Sequence, residues 1–136
     1  VLKILIEGVY PVPKSYELGR TKTGKMIRLS TIATKYETWV AAQVRAHLPR
    51  EFQPFLKKKA VLIDFFFQFE TSCHKKNPIG SYHIVKPDVT NLQKSGEDAM
   101  VKAKVIGDDA QVAETRSQKR WGSKDLIFIT IRQELE

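Results

Sequence analysis

Apolar and polar positions along the chain fall into two periods, and the switch between them divides it into elements. Alternation appears three times. Leu2, Ile4 and Ile6 share one face of a first strand over residues 1–7. Val61, Ile63, Phe65, Phe67 and Phe69 alternate through 60–70, the clearest strand, whose other side carries Asp64, Gln68 and Glu70. Ile127, Ile129 and Ile131 supply the inward face of a last strand over 125–132, preceded by one over 110–119 and a turn at Gly122-Ser123. Between these runs the spacing becomes three and four. Ala33, Tyr36, Val40, Val44 and Leu48 mark one buried helix face, with Thr34 and Glu37 at capping-box spacing before it and Pro49 ending it. A second helix is expected over 91–104, with Thr90 and Gln93 repeating that spacing at its start. Pro11 and Pro13 favour an extended loop. Arg20, Lys22, Lys25 and Arg28 cluster around Thr23-Gly24 as a short basic hairpin or loop, and 71–85 forms a loop broken by Asn77-Pro78 and Gly80. With no repeat, low-complexity tract or linker, the pattern predicts one α+β domain over 1–136.

Composition narrows the setting. A 136-residue chain with 42% apolar and 28% charged residues is one globular domain that needs no staples. Its apolar runs, at 4–6 and 61–67, fall far short of the ~20 residues of a spanning helix. No basic start followed by a long apolar core opens the chain, so no export signal is expected. Cys73, the single cysteine, excludes an internal disulfide, fits a reducing cytoplasm and reads as an inert loop thiol. Charge changes the picture more: 23 Lys and Arg against 15 Asp and Glu give +8 and a pI near 9.6. Such a surplus attracts polyanions, nucleic acid foremost, with anionic lipid, acidic partners or a merely soluble basic surface without a partner as the other readings.

Candidate chemistry lies in Lys86-Pro87-Asp88-Val89-Thr90-Asn91-Leu92-Gln93-Lys94 and in Gly107-Asp108-Asp109-Ala110-Gln111-Val112. Pro87 keeps the chain extended, so Asp88 precedes the helix. Asn91, Lys94 and Asp98 fall within about 60° of one another on that helix, apart from the small-residue face of Leu92, Gly96, Ala99 and Ala103, which can pack closely on a sheet. Asp108 and Asp109 repel each other unless a cation compensates. Hard oxygen donors suit Mg²⁺ or Mn²⁺, which can assist phosphodiester hydrolysis, with Lys94 stabilising developing charge. The same residues also have a purely structural reading: Asp-Asp is a common turn composition, Asp88 favours the positive helix end, and Lys94 is a solvated helix lysine.

At these residues the chain resembles the RusA family of Holliday-junction resolvases. Lys86, Asp88, Asn91, Leu92, Lys94, Asp98, Asp108, Asp109, Gln111 and Val112 fall in register with that family's pattern. Pro11-Val12-Pro13, Lys119 and Leu126 to Ile131 extend the likeness over nearly the whole chain. The resemblance implies a mixed β-sheet with two main helices packed on it, catalytic Asp88, Lys94 and Asp109, metal ligands Asp88, Asp108 and Asp109, a Mg²⁺ cofactor with Mn²⁺ as a substitute, and a homodimer acting on branched DNA in recombination and repair. The family's second acid falls on Thr90, a neutral and weaker ligand, so Asp108 or Asp98 takes over its role or Thr90 serves only as a cap. Two alternatives stay open: a cleavage-impaired junction-binding protein, and a metal-dependent nuclease on other branched DNA or RNA. Phe65, Phe66, Phe67 and Trp39 are candidates for a dimer interface, although core burial suits most of them better.

The resemblance also gives the basic residues a role. Lys75, Lys76 and Lys86 are placed to meet phosphates, with Asn91 beside them, and Arg20, Lys22, Lys25 and Arg28 offer a second arm. Lys119 and Arg120 stand beside Trp121, a ring that could stack on an unpaired base. Half of these lysines read equally well as solvated surface, and Lys57, Lys58 and Lys59 as strand-edge charges. His47 fits the last turn of the first helix. His83 is close enough in sequence to Asp88 to touch a phosphate, although a role apart from substrate suits it better.

Overall fold

A computed structural model describes residues 1–8, 10–11, 18–20, 26–28, 31–50, 52, 55 and 59–134. Four strands form one mixed sheet: β1 (Leu2–Glu7), β4 (Val61–Glu70), β5 (Val112–Gly122) and β6 (Leu126–Gln133), in the order β1-β6-β4-β5. β2 (Leu18–Arg20) and β3 (Met26–Arg28) pair antiparallel as a separate ribbon, the strands of the expected basic hairpin. Lys22 and Lys25 lie outside the described residues. Helix α1 spans Thr31–His47 and α2 spans Val89–Lys102. The α+β expectation, a mixed sheet with two helices, is met.

The register explains where a site can form. Ile4, Ile129 and Phe65 stand side by side on β1, β6 and β4, and the same row continues to Ser117 on β5. The next row runs Ile6, Ile127, Phe67 and then Lys119. Apolar side chains thus fill three strands on the helix side, while β5 at the sheet edge contributes a hydroxyl and an ammonium. Phe65, Phe67 and Phe69 are almost fully buried, each contributing roughly 1.5–3 kcal/mol of apolar burial. Phe66 points to the opposite face and stays partly exposed, and Trp39 is exposed. Of the four aromatics considered for an interface, Phe65 and Phe67 therefore belong to the core.

Helix α2 buries Leu92, Ser95, Gly96, Ala99 and Met100. A methyl group at Gly96 would come 2.5 Å from Cε1 of Phe65, so the glycine sets how closely helix and sheet approach. The parallel pairing of β4 with β5 requires a crossover, and α2 supplies it. The helix consequently starts beside the end of β5 that carries Lys119. Helix α1 begins at Thr31, three residues before the expected Thr34, which lies inside it. Among the described residues no helix is long and apolar enough to cross a membrane.

Candidate active site

The loop from Thr71 to Asp88 is laid along the free edge of β5. Gly80 N–H donates to Trp121 O at 2.8 Å, Trp121 N–H to Ser81 O at 2.9 Å and His83 N–H to Lys119 O at 3.1 Å. Gly80 has φ +89, a conformation open to glycine, which lets the loop turn into this pairing. Edge pairing puts successive side chains on opposite sides. His83 goes inward, stacked on Phe69 with centroids 4.2 Å apart and beside Trp121 at 4.4 Å. Tyr82 goes outward, with the Arg120 guanidinium 4.0 Å from its ring centroid.

Below this loop Lys119 acts as a staple. Its Nζ donates to the carbonyls of Val85 and Pro87, both at 2.7 Å, which fixes the backbone just ahead of Asp88. Burial lowers the Lys119 pKa and Asp88 opposes that shift. The Lys86–Pro87 peptide bond is cis. Asp88 is the N-cap residue of α2, extended as expected (φ −69, ψ 139), but its side chain accepts no cap hydrogen bond. Instead its carboxylate is half exposed, with Lys86 Nζ at 3.5 Å. The Thr90–Gln93 capping box does not form, because the helix starts at Val89 and Gln93 faces the sheet. There its Oε1 accepts from Ser117 Oγ at 2.9 Å, and its Nε2 donates to Glu97 at 3.3 Å. A hydroxyl on the edge strand competes successfully with the helix end for this amide. An open cleft lined by His83, Ile84, Val85, Lys86, Asp88, Val89, Thr90 and Lys119 lies over this start of the helix.

One turn further along α2, Lys94 Nζ donates to Asp109 Oδ2 in a charge-assisted bond and lies 3.2 Å from Asp98 Oδ1. The pair joins residues fifteen apart in sequence. The hydrogen bond to Asp109 is the main cause that raises the Lys94 pKa, with Asp98 adding to it, and Lys94 in turn depresses Asp109. Both groups hold their charge throughout the neutral range. Asp109 opens a 3-10 turn, Asp109–Gln111, and Asp108 caps it, Oδ1 accepting from Ala110 N–H at 3.0 Å. β5 therefore begins at Val112 rather than 110. Glu97, on the same side of α2, is pushed up by burial.

The fold thus brings Lys94, Asp98 and Asp109 into contact, and sets Asp88, Lys86, Thr90 and Lys119 around the neighbouring cleft. Among the described residues no three His, Cys, Asp or Glu side chains are arranged to hold a metal ion. Asn91, Lys75, Lys76 and Lys86 are exposed. Arg20 lies in β2, and Arg120 lies beside Tyr82. Trp121 does not serve as the expected exposed ring, since it packs against the core and His83. The pleat turns it inward with Lys119 and turns Arg120 outward. Tyr82 carries no signal in the sequence, because only the edge pairing of its loop aligns it with Arg120. Glu97 carries no local signal either, since its burial is set by the folded surroundings rather than by its neighbours in sequence. Cys73 is an exposed free thiol, and His47 sits in the last turn of α1 as expected, its Nδ1 bonded to Gln43 O at 2.7 Å.

His83 is buried, consistent with a role apart from phosphate contact, and its Nδ1 has no partner. Desolvation and the nearby Lys119 charge lower its pKa from 6.5. The folded protein therefore prefers neutral imidazole, and below the ordinary value of 6.5 the unfolded chain binds the extra proton first. Stability should fall as pH drops through that value and level off below the lowered folded pKa. Thermal melts at pH 7.5 and 5.5 check this, with His83→Phe expected to reduce the difference; an undiminished pH response in the variant would assign it to other groups.

The family model for the endodeoxyribonuclease RusA matches residues 9–132 of this 136-residue chain. A search of curated proteins found no match.

Proposed function

This chain belongs to the RusA family of endodeoxyribonucleases, and on that premise we propose that it is a Mg²⁺-dependent, homodimeric resolvase. It would cut four-way DNA junctions by paired symmetric phosphodiester hydrolysis, serving recombination and repair in the cytoplasm. The observation that carries the reading is the Lys94–Asp109 contact, flanked by Asp98. Residues that the family resemblance links across two separate sequence blocks meet at one place, beside the helix whose start holds Asp88.

The donor chemistry fits a hard cation. Asp88, Asp108 and Asp109 offer carboxylate oxygens, and Mg²⁺ uses only one or two carboxylates together with waters and substrate phosphate, so a closed three-ligand cage is not needed. Mn²⁺ suits the same donors. Bound there, the ion would neutralise charge on the phosphoryl oxygens and acidify the attacking water. The chain's own residues do the rest. Lys119 fixes the backbone that presents Asp88, and Lys94 orients Asp109 and keeps a positive charge where the pentavalent phosphorus group would develop its negative charge. Lys75, Lys76 and Lys86 meet flanking phosphates. Two symmetric cuts need two sites related by a two-fold axis, which a homodimer supplies, and Phe66 and Trp39 remain on the surface for it.

The test is a synthetic four-way junction incubated with Mg²⁺ or Mn²⁺. Paired symmetric nicks support the proposal. A gel shift without cleavage would identify a binding protein instead, and equal cleavage of linear duplex or RNA would replace the substrate assignment. Thr90→Asp restores the acid that the family carries at this exposed position, and cleavage is expected to stay unchanged or rise. Measured nicking rates decide, since complete loss would mean that the helix start tolerates no further charge there.

A further inference from the structure

The loop at 79–85 exposes more apolar surface than its surroundings require. Ile79 is 57% exposed, Tyr82 63%, Ile84 87% and Val85 57%, all within seven residues. The backbone beneath them is held firmly by the edge pairing to β5 and by Lys119. Tyr82 lines a cleft with Asp64, Arg116, Ser117, Gln118 and Arg120, whereas Ile84 and Val85 line the cleft of Asp88 and Thr90. The loop is thus a ridge between a basic cleft and the candidate active site.

Two observations indicate what meets this ridge. Arg120 is fixed against the Tyr82 ring by bonds to Gly80 O at 2.7 Å and Gln118 Oε1 at 2.9 Å, so the ring is oriented before any ligand arrives. The surroundings are cationic: Arg116, Arg120, Lys86 and Lys119 line the two clefts beside the ridge, against Asp64 and Asp88, and Lys75 and Lys76 are exposed earlier in the same loop. A core of apolar contact between proteins is depleted in lysine. A rigid ring backed by guanidinium and ringed by cations is instead the arrangement that stacks a base while phosphates are neutralised.

We propose that the 79–85 ridge reads the branch point, with Tyr82 stacking on an unpaired base and Ile84 wedging beside it while the adjoining phosphate enters the Asp88 cleft. An apolar wedge between bases is a known means of holding DNA in an unstacked form. A base at a branch point is unstacked at less cost than one inside a linear duplex, so this contact selects branched over linear DNA. The inference rests on the junction-cleaving reading and adds how the junction is recognised.

The test uses the full-length protein without Mg²⁺ and a four-way junction carrying 2-aminopurine at the branch point. Wild type should raise the fluorescence on binding. Tyr82→Ala and Ile84→Ser should abolish the rise, and Tyr82→Ala should weaken junction binding about 5- to 100-fold while duplex affinity holds. Tyr82→Phe, which keeps the ring, should restore both. Unaltered fluorescence and affinity in both variants would overturn the inference, as would equal losses on junction and duplex. So would conversion of a wild-type dimer to monomers by either substitution, which would assign the ridge to contact between copies of the chain. If wild type itself shows no preference for junctions, the substrate reading fails first. The ridge is then judged with 2-aminopurine in single-stranded DNA, where an unchanged signal with Tyr82→Ala overturns it.

Discussion

Asp109→Asn, and separately Asp88→Asn, should lower junction cleavage by about 10³-fold or more, the loss that follows from several kcal/mol of metal-assisted transition-state stabilisation. Junction binding should persist. Neither substitution should unfold the chain: Asp88 makes no cap hydrogen bond, and Asp109 lies at the surface, where an amide oxygen can still accept from Lys94. Each substitution also removes a negative charge from a phosphate-facing surface, which favours DNA rather than repelling it. Parallel nicking and gel-shift titrations measure the two effects. Wild-type cleavage by either variant would refute the metal assignment.

The second large effect concerns Lys94. Lys94→Gln should reduce kcat on the order of 10²-fold or more, the scale expected when one preorganised charge at a reacting centre is removed, with little change in KM for the junction. A lysine that only neutralised a distant phosphate would alter KM instead, so the split between kcat and KM distinguishes the two roles. Lys94→Arg should recover part of the rate, because it keeps the charge but spreads it over a planar fork. The raised Lys94 pKa and the depressed Asp109 pKa act together. Whatever stability the pair adds is lost only when pH rises through the raised lysine value or falls through the lowered carboxylate value. Neither change occurs near neutrality, so the variant should differ from wild type by a constant factor between pH 6.5 and 8.5, in the range where both partners remain charged.

Much of the fold could be read from residue order. The alternation of Val61 to Phe69 and of Ile127 to Ile131 determines which faces are buried, since a strand's side chains alternate whatever its neighbours are. The small-residue face at Gly96 and Ala99 anticipates the close helix–sheet contact for the same local reason. Helix starts were less legible. Thr34 and Thr90 each match a capping box, yet α1 begins earlier and Gln93 bonds Ser117 instead. Capping depends on what else is within reach, and Ser117 lies 24 residues away.

The candidate site divides along the same line. Sequence alone determined that a basic chain carries Asp88 just ahead of a helix, Lys94 on that helix's polar side and Asp108-Asp109 in a turn, because spacing along one element sets direction locally. Only the tertiary structure decided that Lys94 reaches Asp109, that Lys119 staples the loop before Asp88, and that Tyr82 rather than Trp121 is the exposed ring beside Arg120. Each of these contacts spans elements joined by the parallel β4–β5 crossover. Contacts at that range are set by strand order and register, which no local pattern of residues encodes.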